Sequence, residues 1–126
     1  MTINEAICAF RETHVSSFDD EILIRWLSEL EYMAVDEVFL THDGVPSRAA
    51  SFCGYSFLND RNAEMLIPEP FSQVYIDYLS MKSDIAVCDI QRYNNSAALF
   101  FNSYSGFADW YNRHHRPLSR AASFKF

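Results

Sequence analysis

Apolar residues recur every three or four positions through four stretches of this chain and lose that rhythm in one. Thr2-Ile3-Asn4-Glu5 has the form of a capping box, in which the Thr hydroxyl and the Glu carboxylate each accept a backbone N–H from the other end of the motif. Ala6, Ile7, Ala9 and Phe10 follow, predicting a first helix of about three turns that ends near Val15-Ser16. Ser17 or Asp19 can cap a longer second helix, whose apolar stripe is Ile22, Leu23, Trp26, Leu27, Leu30, Met33, Ala34 and Val38. Asp19, Asp20 and Glu21 suit its first turn, where the helix dipole is positive. His42-Asp43-Gly44 closes it, with Gly44 as a left-handed cap.

A second pair of helices is predicted from residue 68 to residue 117. Phe71, Val74, Tyr75, Tyr78, Leu79, Ile85 and Cys88 share one helical face. Phe100, Phe101, Tyr104, Phe107, Ala108 and Tyr111 share another, with Asn102, Ser105, Asp109 and Asn112 opposite. Pro70 fits the first turn of the earlier helix, where its missing N–H would have had no helical partner. Asn94-Asn95-Ser96 tolerates turn dihedrals, so the chain is expected to reverse there, with Ser96 capping the later helix; the alternative is one continuous bent helix. Pro117 ends it.

Between Val45 and Pro70 the helical period disappears, and Pro46, Gly54, Asn59, Asp60, Asn62 and Pro68-Glu69-Pro70 punctuate the chain. Residues 51–57 and 63–67 alternate weakly and could pair as a small β-hairpin across residues 59–62. The expected fold class is therefore all-α: a four-helix domain over residues 1–116, with a helical hairpin in its C-terminal half. A small irregular or β-hairpin insertion occupies about residues 45–67, and residues 117–126 form an extended basic and aromatic tail.

Composition narrows the functional classes. With 126 residues, 49% of them hydrophobic and 16% aromatic, the chain can build one domain with a substantial core. It lacks an apolar run long enough to span a bilayer and a basic-then-apolar start, which predicts a cytoplasmic, membrane-free protein. Cys8, Cys53 and Cys88 are widely spaced, as expected of reduced, partly buried thiols. The net charge of −7 is uneven. Residues 1–112 hold all 17 acidic residues against 6 bases, a balance of −11, and the last 14 residues add +4. An acidic body opposes non-specific attachment to nucleic acid, whereas a basic, aromatic tail suits an acidic protein groove.

Catalytic chemistry has no recognisable constellation. His14, His42, His114 and His115 lie in no metal-ligand spacing, and the three glycines form no phosphate-cradling loop. Glu29 with Glu31, and Asp36 with Glu37, read as the solvated face of an acidic helix rather than as acid–base pairs. A DNA-reading helix at residues 96–112 would offer Asp109 and no Lys or Arg to phosphates. These features predict neither enzyme activity nor a cofactor.

Four segments carry a resemblance: Trp26-Leu27-Ser28-Glu29-Leu30-Glu31, Leu66-Ile67-Pro68-Glu69-Pro70-Phe71, Arg92-Tyr93-Asn94-Asn95-Ser96 and Trp110-Tyr111-Asn112-Arg113. In combination, over roughly residues 2–117, the chain resembles the head-to-tail connector proteins, or adaptors, of long-tailed double-stranded-DNA phages and prophages. The resemblance implies a helical subunit of a ring, commonly of twelve copies. Such a ring sits between the portal protein and the stopper or tail-completion protein, extends the DNA channel and performs no reaction. It also implies location in the virion neck, with host cytoplasm as the site of assembly.

On that reading, Arg113, Arg116, Leu118, Arg120, Phe124 and Phe126 are expected to bind the portal or a neighbouring subunit. Asp36, Glu37, Asp77 and Asp84 are candidates to face the channel, repelling DNA over a Debye length of about 8 Å. The alternative from another class is a small cytoplasmic regulator or accessory subunit that binds one partner protein through the same helices.

Overall fold

The computed structural model describes residues 1–14 and 17–118. Their regular structure is helical: α1 (Ile3–Thr13), α2 (Asp20–Ala34), the short α3 (Ser47–Ala50), α4 (Gln73–Ala86) and α5 (Ile90–His114). The fold is all-α.

The capping box at the start of α1 forms as the sequence requires. Glu5 N donates to Thr2 Oγ1 at 3.2 Å, and Thr2 N donates to Glu5 Oε1 at 2.8 Å. Asp19, not Ser17, caps α2, accepting from Ile22 N at 3.1 Å. Asp20, one residue on, is gripped by Arg11 of α1 at 2.7 Å and by Arg61 at 2.6 Å, which fixes α1 and the irregular segment to the N-terminus of α2.

Helix α2 continues without a break into a π-turn over Val35–Phe39, sealed by Leu40 N donating to Val35 O at 2.9 Å. The wider turn rotates Val38 and the adjacent Phe39 into the core together, where Phe39 meets Phe107 and Tyr111 of α5. Gly44 does adopt a left-handed φ of 73°, but the helix has already ended at Leu40, so the glycine serves the following turn.

The helical hairpin exists, yet its bend lies at residues 87–89 rather than at Asn94-Asn95-Ser96. Cys88 takes a left-handed φ of 61°. Cys88 N donates to Ile85 O and Asp89 N to Asp84 O, both at 3.1 Å, the paired bonds of a Schellman C-cap in which Cys88 holds the place usually given to glycine. Asp89 then caps α5 directly, accepting from Arg92 N at 3.1 Å. Asn94 and Asn95 are exposed mid-helix residues, and Ser96 is a buried clamp: its hydroxyl donates to Asp84 and lies 2.8 Å from Arg92 O. Pro70 also falls outside its expected place, because α4 begins at Gln73 and Pro70 lies in the preceding turn.

No strand pairing forms at residues 51–67. The β-bridges among the described residues are Thr2 with Glu64 and His42 with Pro117. The segment is ordered instead by bonds to the helices: Ile3 N to Ala63 O at 3.2 Å, Asn4 N to Arg61 O at 2.9 Å, Tyr55 N to Ser28 Oγ at 3.0 Å. Its role is to cover α2 and the start of α4.

Six aromatic rings and a ladder of aliphatics fill the core: Phe10, Phe39, Tyr75, Phe100, Phe107 and Tyr111, with Leu23, Leu27, Leu30, Ile67 and Leu79. Helix α4 lies at the centre, packed on α1, α2 and α5, so α5 is an edge helix covered mainly by one neighbour.

Candidate interaction surface

The most buried polar group is one that its residue type and its acidic neighbours misassign to the solvated face. Glu31 is fully buried rather than solvated. Its carboxylate accepts from Tyr55 Oη at 2.5 Å, Tyr75 Oη at 2.6 Å and Leu66 N at 2.8 Å, while Tyr75 Oη accepts from Ile67 N at 2.8 Å. One side chain of α2 therefore holds the irregular segment, through Tyr55 and Leu66, and α4, through Tyr75. Burial pushes its carboxyl above the ordinary 4.5, opposed by the three donors. The same burial, together with the neighbouring carboxylate, raises both phenols, so Tyr55 and Tyr75 remain hydrogen-bond donors. A signal was present: Glu31 lies four residues after Leu27 and three before Ala34, within the apolar stripe. With every donor matched and no access to solvent, this centre is a structural pin.

A second polar junction joins the two ends of the chain's aromatic face. His42 is buried, with Nδ1 2.7 Å from Val38 O and Nε2 against the Asn112 side-chain amide, and its ring meets Tyr111 edge-on. Beside it the backbone after α5 runs along residues 41–43, with Asp43 N donating to Arg116 O at 2.8 Å and Leu118 N to Thr41 O at 3.0 Å.

These contacts redraw the expected tail. Residues 116–118 are laced to the domain, so the domain extends past residue 116 and Pro117 belongs to it. Arg113 and Arg116 present exposed side chains, whereas Leu118 is half-buried. Arg120, Phe124 and Phe126 lie outside the described residues.

The acidic candidates divide into two groups. Asp36 and Glu37 are exposed on the π-turn, where Glu37 accepts from Tyr104 Oη at 2.8 Å. Burial and that bond push the Tyr104 phenol up. Asp77 is half-buried and accepts from Gln73 at 3.2 Å and from Ser103. Asp84 is buried against Ser96 with Arg92 4.0 Å away, so it clamps the hairpin and is not a surface group. Short serine hydroxyls pack these two carboxylates between α4 and α5, a role that no local spacing announces.

Surface apolarity concentrates on the hairpin. Ile85, Val87 and Ile90 at its tip are exposed, as is Cys88. Further along α5, Leu99 is 60% exposed and Phe101 58% exposed. Phe101 departs from the expected buried face, because the packed edge runs through Ser96, Phe100, Phe107 and Tyr111. All three thiols are free and exposed, contrary to the expectation of partial burial.

Two recesses flank these elements. One of about 540 Å³ separates α2 from residues 53–60, with Arg25, Ser28 and Gly54 among its walls. The other, about 410 Å³, lies between α1, α4 and α5 and includes Ala9, Ile76, Asp77 and Leu99. No protein-family model, curated protein or solved structure matches the chain. Among the described residues no group of three or more His, Cys, Asp or Glu side chains could hold a metal, and no helix is long and apolar enough to cross a membrane.

Proposed function

We propose that this chain is a head-to-tail connector of a long-tailed phage, a structural subunit that assembles in a ring on the portal protein and receives the stopper or tail-completion protein. The observation that carries the reading is the α4–α5 hairpin, which leaves Ile85, Val87, Ile90, Leu99 and Phe101 in solvent although the core has room only for the opposite edge. Exposed apolar groups that recur along one hairpin, at its tip and on both flanks of α5, mark a protein interface more readily than an active site. The acidic body agrees with a channel that lets DNA pass, and Asp36 and Glu37 are the candidates that remain at the surface. Arg113 and Arg116, exposed where α5 ends, supply cations for carboxylates on the portal.

Electron microscopy of the protein mixed with the portal from the same genome tests the proposal. A closed ring of this chain coaxial with the portal, commonly of twelve copies, is the expected result. A one-to-one complex with an unrelated cellular protein, and no portal binding, would replace it with the regulator reading.

A further inference from the structure

We infer that α5 is the repeating contact between neighbouring copies, with the Phe101 flank of one copy seated in the α1–α4–α5 recess beside Leu99 of the next. The inference deepens the connector reading and rests on its ring.

Positions two apart on a helix are about 200° apart around its axis, so Leu99 and Phe101 leave α5 on nearly opposite flanks. Both are more than half exposed, and the packed edge through Ser96 and Phe100 lies between them. The flanks differ in shape. On the Leu99 side lies the recess of about 410 Å³, where Ala9, Ile76 and Leu99 supply apolar wall among polar residues that include Glu12, His14 and Asp77. On the other side Phe101 projects with Ile90, about three turns earlier, and Ala97, Ala98 and Ser105, each about one turn from Phe101, are small. A knob on one flank and a hollow on the other is the geometry of a heterologous contact. A two-fold contact would bury one flank twice and leave the other bare.

Charge selects the occupant. Each copy carries −7, so most surfaces of two copies repel. Residues 93–108 contain no Asp, Glu, Lys, Arg or His, which makes the Phe101 flank the place where a second acidic copy approaches without opposing a like charge. Two carboxylates line the recess, Glu12 and Asp77; Asp77 already accepts from Gln73 and Ser103, and Glu12 meets the uncharged Phe101 flank rather than a like charge.

Sedimentation of the full chain over a wide concentration range, with Leu99→Glu and Phe101→Glu alone and mixed, tests this. The wild type is expected to form species larger than dimers, and each variant to stay monomeric. The equimolar mixture should stop at dimers, because only one intact flank pair is available per two chains. Wild-type protein that is monomeric throughout, a single variant that assembles like wild type, a Leu99→Glu protein that dimerises by itself, or a mixture that stays monomeric would each overturn the inference. Circular dichroism checks folding, and Leu99→Ser and Phe101→Ser replace any Glu variant that melts early. Assembly through these flanks by a protein that ignores the portal would keep the inference and remove the connector reading.

Discussion

Glu31 and the α5 flanks invert the usual distribution of side chains in opposite senses. At Glu31 an ionisable group is fully buried, and at Leu99 and Phe101 large apolar groups are more than half exposed. The difference lies in what each has found within the chain. Glu31 has three donors, two phenols and a backbone amide, that offset much of its desolvation, so its anomaly is resolved inside the subunit. Leu99 and Phe101 sit on an edge helix whose covered side is taken by Phe100 and Phe107, so nothing among the described residues covers them fully.

The largest effect should come from breaking the first half of that contrast. Glu31→Ala strands two phenols and a backbone N–H around a new void and should cost about 3–5 kcal/mol in a denaturant titration. Glu31→Gln keeps the volume and isolates the charge. Because the folded carboxyl lies above its ordinary 4.5, the wild type is relatively most stable below 4.5 and loses ground as pH rises through the folded value. The Gln variant should lack this dependence, and parallel stability curves for the two proteins would show that folding leaves the Glu31 carboxyl unshifted.

Two intermediate tests sharpen the boundary between subunit and surroundings. Ser96→Ala removes the hydroxyl that partners buried Asp84 and should cost about 1–3 kcal/mol, placing the clamp inside the fold. Removing residues 116–126 should cost about 1–2 kcal/mol, since it deletes the bonds of Asp43 N to Arg116 O and Leu118 N to Thr41 O, whereas removing residues 119–126 spares both. Equal melting temperatures for the two truncations would mean that the strap on residues 41–43 adds nothing.

The smallest effects belong to the exposed side. Phe101→Ser should change the stability of the isolated subunit by no more than about 0.5 kcal/mol while abolishing association, and a loss of several kcal/mol would place Phe101 in the core. Cys88→Gly relieves a left-handed φ and should raise the hairpin's stability by up to about 1 kcal/mol; Asn95→Ala should add about 0.5 kcal/mol as an ordinary mid-helix replacement. A large loss from Asn95→Ala would return the bend to residues 94–96.

Much of this was legible in the order of residues, for local reasons. The capping box at Thr2 and Glu5, the Asp19 cap and the three- and four-residue stripes of α1, α2, α4 and the C-terminal part of α5 act within a turn or two, so spacing alone reveals them. The bend at Cys88 did not show, because its left-handed cap lacks the glycine that usually marks one, and the Asn94-Asn95 pair imitated a turn that the packing of Ser96 and Phe100 on α4 overrides. Glu31 kept its place in the apolar stripe, but its partners Tyr55, Leu66 and Tyr75 come from 24 to 44 residues away. Which helix would be left at the edge was likewise a tertiary decision: an amphipathic pattern states that a face must be covered, and only the three-dimensional arrangement determines how much of it the chain can cover itself.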